Sequence, residues 1–158
     1  MAEAVLYTIG YQGADIDGFI GTLLRARVQW LVDVREAPVS RKADFAKSRL
    51  AAHLESAGIG YRHVRALGNP KQGREAARAG ELETYRRIFL GHMDGEPARE
   101  AVRHVAQLAA SERACLLCLE RDPRQCHRSI VGDRIAAITG QRIEHLFAET
   151  NPAQGKLL

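Results

Sequence analysis

The chain lacks any apolar run approaching the roughly 18 residues that a membrane-spanning helix needs, so no transmembrane segment is expected. Its opening residues, Met1 to Tyr11, carry no basic stretch followed by an apolar segment and a small-residue cleavage site. No secretory signal is read there, and the expected location is the cytoplasm. Cysteine is scarce: Cys115, Cys118 and Cys126 are the only three, all within one 12-residue window. An odd number so closely spaced is a poor disulfide framework and a better source of reactive or metal-binding chemistry. Internal repeats, low-complexity tracts and blocks of like charge are also missing, which argues against solenoids and basic nucleic-acid tails. What remains is an ordinary globular composition, 46% hydrophobic and 27% charged over 158 residues, a length that one core can organise. The net charge of +4 is carried by arginine far more than lysine. That excess suits an anionic partner, and it equally suits an arginine-rich composition with no partner at all.

Short β-branched runs alternate with helical periodicity. Val5 to Ile9 reads as a strand ending at Gly10, and Ile16, Phe19, Ile20, Leu23 and Leu24 follow at helical spacing with Asp15 as N-cap. Trp30 to Val34 is a second strand. Phe45, Leu50 and Leu54 mark a helix that Gly58 closes, and Tyr61 to Val64 is a weaker strand. A long polar stretch from Arg65 to Gly80, broken by Gly68, Pro70 and Gly73, reads as a lid, an interface or a loop. Helical patterns cover Leu82 to Leu90 and Ala98 to Ala110. The most apolar strand runs from Ala114 to Leu119, followed by a Pro123 loop, a helix from about Cys126 to Thr139, and a last strand from Arg142 to Leu146. The tail from Glu149 reads as frayed. The expectation is an α/β fold: one three-layer Rossmann-like domain spanning 1–158, with its core at about 5–146 and a mainly parallel sheet of about five strands. With the first strand central, the natural strand order is 3-2-1-4-5. Ligands in such sheets sit beyond the carboxyl ends of the strands, which places the segments after Ile9, Val34 and Leu119 around one crevice.

The densest chemistry lies between Cys118 and Ser129. Alternation along a strand lets Cys118 and Glu120 share a face while Cys115 points away into the core. Cys126, near a helix start and beside His127 and Arg128, is placed to have its thiolate stabilised; packing as a small apolar residue is the bland alternative. His127 can orient a thiol, ligate a metal or cap loop carbonyls. Arg128 can bind an anion at the helix N-terminus or pair with Glu120, and Glu120 can act as a general base or fix a loop. Gly10 permits close backbone approach, Tyr11 supplies a phenol, and Asp33 and Arg35 share one face as a salt bridge or as ligand contacts.

Several motifs together resemble a known family. They are Thr8-Ile9-Gly10-Tyr11, Asp33-Val34-Arg35 with Pro38 and Ser40, and Leu67-Gly68 with Asn69 where a second glycine is common. Cys118-x-Glu120-x-x-Pro123-x-x-Cys126-His127-Arg128 and the closing His145-Leu146 complete the pattern. The chain resembles the DUF488 family, a widespread prokaryotic group of uncharacterised proteins, over about residues 5–146. The resemblance implies an α/β fold and a cytosolic setting, and it supplies no reaction. Leu31 to Glu36 also resembles the second-strand motif of rhodanese domains, although the longer acidic loop after Cys118 departs from their anion cradle.

Three functional expectations follow. The first is an enzyme or ligand-binding domain acting on a small polar, anionic or nucleotide-like ligand, with Cys126, Cys118, Glu120 and His127 as catalytic candidates and Gly10, Tyr11, Asp33, Arg35 and Arg128 as binding candidates. The second is a zinc-type metal site built from Cys118, Cys126 and His127, with Glu120 or water as fourth ligand. The third is a nucleic-acid or nucleotide module using the basic segment 62–87, flanked by Tyr61 and Tyr85. The sequence assigns no cofactor.

Overall fold

A computed structural model describes residues 4–149; the expected tail beyond Glu149 lies outside the described residues. Five parallel strands make one sheet: β1 (Val5–Gly10), β2 (Trp30–Asp33), β3 (Gly60–His63), β4 (Ala114–Cys118) and β5 (Arg142–Phe147). Six helices connect them: α1 (Ile16–Arg25), α2 (Lys47–Ser56), α3 (Lys71–Arg78), α4 (Leu82–Asp94), α5 (Glu96–Ser111) and α6 (Arg128–Thr139). Among the described residues no helix is long and apolar enough to cross a membrane.

Hydrophobic burial divides the helices between the two faces of the sheet. Phe19 and Leu23 of α1 and Leu50 and Leu54 of α2 pack with Tyr7, Ile9, Leu31, Cys115 and Leu117 on one side. On the other, Phe89 and Met93 of α4, Val102 and Val105 of α5, and Val131 and Ile135 of α6 pack with Leu6, Val32, Leu116 and Cys118. Each fully buried leucine or phenylalanine contributes about 1.5–3 kcal/mol, so these two layers supply most of the driving force. Local signals end the helices as their residues dictate. Asp15 Oδ1 accepts the Gly18 N–H at 2.6 Å, and Gly140 closes α6 in the left-handed conformation at φ 75°.

The strand order is β3-β2-β4-β1-β5, a correction to the expected 3-2-1-4-5. β4 is buried at every position and takes the centre between β1 and β2, whereas β5 is exposed at both ends and partly exposed throughout and closes an edge. A strand without a polar face is most stable where both faces and both edges are covered. The exchange puts the carboxyl end of β4 between those of β2 and β1. Two further differences are local. The last long helix starts at Arg128 rather than about Cys126, because Pro123–Gln125 forms a separate short 3₁₀ turn and His127 occupies the cap position. The polar stretch 65–80 is also not one loop: α3 forms within it, burying Gly73 and Ala76.

Candidate functional site

Cys118 is the last residue of β4 and faces α4, α5 and α6, while Cys115, three residues earlier, is sealed into the opposite layer. The chain then leaves the sheet, turns through Pro123–Gln125, and returns with Cys126 and His127 just ahead of α6. Their side chains converge on Cys118. The His127 Nδ1 stands 3.5 Å from the Cys118 Sγ and 3.9 Å from the Cys126 Sγ, and all three donor atoms lie within 4.8 Å of one another. The other ring nitrogen fixes the tautomer. His127 Nε2 lies 2.7 Å from the Val34 carbonyl oxygen, which can only accept, so Nε2 carries a hydrogen and Nδ1 is the ring atom that faces the two sulfurs. Phe89 holds the ring edge-on, with centroids 5.2 Å apart. Glu120 Oε2 lies 3.8 Å from the Cys118 Sγ, at the half-buried side of the cluster.

All three thiols are free, and the two in the cluster differ electrostatically. Burial opposes ionisation of Cys126, but hydrogen bonds from Cys118 and His127 and the nearby His127 and Arg128 charges outweigh it and hold that thiol well below its ordinary range. Cys118 moves the other way, chiefly through its hydrogen bond to Cys126 and its burial. Burial and the neighbouring Cys126 charge push Glu120 up to about 7. His127 is raised, since its bond to Cys126 outweighs burial, which acts to lower it. Cys115, by contrast, is pushed far up by burial and belongs to the core.

The remaining candidates do other things. A Cβ on Gly10 would overlap the Glu120 carbonyl, so this glycine lets the 119–121 segment cross the end of β1. Arg128 is fully buried and holds that segment from below. It donates from Nη1 to the Glu120 carbonyl, from Nη2 to the Arg121 carbonyl at 3.3 Å, and from Nε to Thr8 Oγ1 at 3.2 Å. Its side chain does not pair with the Glu120 carboxylate, the bridge considered from the sequence. Tyr11, Asp33 and Arg35 lie on the opposite face as a closed network. Arg35 grips Asp33 through Nε at 2.9 Å and Nη2 at 2.7 Å, and donates to the Phe45 carbonyl at 2.9 Å. Tyr61 donates to Asp33 Oδ2 at 2.6 Å, and Tyr11 stacks on Phe45 at 4.7 Å. These buried groups satisfy one another, so the strand-end charges form a structural clamp beneath the loop after β2.

The basic segment 62–87 runs through β3, α3 and α4, and three of its arginines have partners within the chain. Arg62 lies over the Trp30 ring at 5.6 Å, and Arg74 and Arg65 reach Glu36 at 2.6 and 3.8 Å. Sequence reading did not single out Thr8, Phe89 or the Val34 carbonyl. Tyr85 it noted only as a flank of the basic segment, yet burial pushes its phenol up, and the charges of Cys126, Cys118 and Glu120 add to that shift. The helical spacing of Tyr85 and Phe89 was the available signal, since it puts both rings on one face of α4.

The family model described as "Domain of unknown function DUF488" matches residues 15–135, and the chain belongs to that family. No curated protein and no solved structure matches it.

Proposed function

We propose that the chain is a metal-dependent enzyme in which Cys118, Cys126 and His127 hold a zinc-type ion and water completes the coordination beside Glu120. The convergence of three buried soft donors supports this reading most directly. A tetrahedral ion with bonds of about 2.0–2.3 Å spaces its donors roughly 3.4–3.8 Å apart, close to the 3.5 and 3.9 Å separations of His127 Nδ1 from the two sulfurs. The bond from His127 Nε2 to a backbone carbonyl is the usual outer partner of a metal-ligating imidazole. Two thiolates cancel the charge of a divalent ion, which makes its burial tolerable in a site this dry. Three protein ligands with an open fourth position are the donor count of catalytic rather than structural zinc. Such an ion would supply Lewis acidity to a bound water, and Glu120, whose Oε2 lies 3.8 Å from the Cys118 Sγ, is the residue placed to hold a proton there. The reaction class is therefore hydrolytic attack on a small polar ligand.

The test is metal content after purification without chelators. One ion per chain is expected, retained in Cys115→Ser and lost in Cys118→Ser and Cys126→Ser. A metal-free protein whose Cys126 alkylates rapidly in the native state would instead favour the thiol-nucleophile enzyme that the sequence suggests.

A further inference from the structure

The two cysteines of the cluster have a second chemistry open to them that Cys115 does not. They come from the end of the central strand and from an irregular turn, they are both free, and their sulfurs lie within 4.8 Å of each other with His127 Nδ1 beside both. A disulfide needs its sulfurs at about 2.05 Å, so closing the pair takes an approach of the two side chains of under about 3 Å, which the 121–127 turn is placed to supply. Cys115 packs in the layer on the far side of the sheet and cannot take part.

The geometry points to Cys118 and Cys126 as a redox pair: a hydroperoxide joins them in one intrachain disulfide and thereby expels the metal ion. The inference depends on the metal reading only for the ion expelled. The chemistry balances with hydrogen peroxide as the named oxidant. The Cys126 sulfur attacks one peroxide oxygen, the O–O bond breaks, and hydroxide leaves and takes up a proton as water, giving a sulfenic acid. The Cys118 sulfur then attacks that sulfur, the S–S bond forms, the S–O bond breaks, and the second oxygen leaves as water. Its proton comes from the Cys118 thiol in the metal-free chain and from solvent in the zinc-loaded one, where both sulfurs are thiolates and two solvent protons are consumed as the ion leaves. Two thiols are oxidised by two electrons and one peroxide is reduced to two waters. Neither sulfur can serve as a metal ligand once bonded to the other, so oxidation and metal binding exclude each other at this site.

The experiment treats the whole chain with hydrogen peroxide in two forms, zinc-loaded and chelator-treated, and counts thiols and linked peptides by mass spectrometry. Trypsin separates the pair, because Arg121 and Arg124 lie between the two cysteines, and tandem spectra distinguish Cys118 from Cys115 on their shared peptide. The expected result is loss of two of the three thiols, a link between 118 and 126, and Cys115 still open to alkylation after unfolding. Zinc release, read with a metallochromic dye, should rise in step with the link. The inference is overturned by sulfinic acid at either position without a link, by a link through Cys115 or between chains, or by three intact thiols where free cysteine is oxidised. The Cys115→Ser chain, which leaves the pair untouched, should give the same link. A chain that binds no zinc yet forms the link refutes the metal reading alone; one that binds zinc but forms no link refutes only the redox pair.

Discussion

Gly10 and Arg128 show how single residues hold the cluster without belonging to it. One removes a side chain so that the 119–121 segment can cross β1, and the other donates to two carbonyls of that segment. Gly10→Ala should therefore cost about 1–3 kcal/mol through overpacking, read from the urea midpoint, and should weaken metal binding with it. On the other face, Asp33→Asn strips the counter-charge from buried Arg35 and should cost about 3–5 kcal/mol. Its metal stoichiometry in folded protein should not change, which separates the clamp from the centre. His145 supplies a pH test. Thr8 accepts from Arg128 and has its own hydrogen left for His145 Nδ1, 2.6 Å away. Burial and the Arg128 charge hold this imidazole below its ordinary 6.5. A base depressed on folding stabilises above its unfolded pKa and loses that contribution as pH falls through the folded value. The urea midpoint of chelator-treated protein should thus drop on acidification below about 6.5, and less so in His145→Gln; equal slopes would refute the assignment.

At the scale of elements, the centre depends on β4, the 119–127 turn and the start of α6. The alternation of β4 was legible, and so was the separation of Cys115 from Cys118, because a strand repeats every two residues. The convergence of Cys126 and His127 on Cys118 was legible only as a possibility. It depends on the Pro123–Gln125 turn and on His127 taking the cap position, neither of which periodicity reports. Arg128 was read as an anion binder or a salt-bridge partner; its role as a clamp on main-chain carbonyls leaves no trace in spacing. Arg128→Lys keeps the charge but loses the planar fork. It should lower metal affinity by roughly 10–100-fold, as outer-shell changes do, while Arg128→Ala should destabilise the whole fold. Equilibrium dialysis against a competing chelator measures the first effect, and unchanged affinity would contradict the clamp.

For the whole molecule, alternating strands and helices were enough to give a three-layer α/β architecture, but not which strand lies innermost. The order depended on ranking two strands, β1 and β4, that are both buried at every position, and half-exposed β5 takes an edge in either arrangement, so burial alone did not separate them. Charge is similar: the basic segment looks continuous in sequence and is split by folding among β3, α3 and α4, with part of it neutralised by Glu36. The central claim is the Cys118–Cys126–His127 metal centre, and cobalt(II) titration of chelator-treated protein tests it most directly. One equivalent should produce intense tetrahedral d–d absorption with thiolate-to-cobalt charge transfer, unchanged in Cys115→Ser and absent from the Cys118→Ser/Cys126→Ser double variant. Absorption that never develops, or that survives in the double variant, would contradict the account.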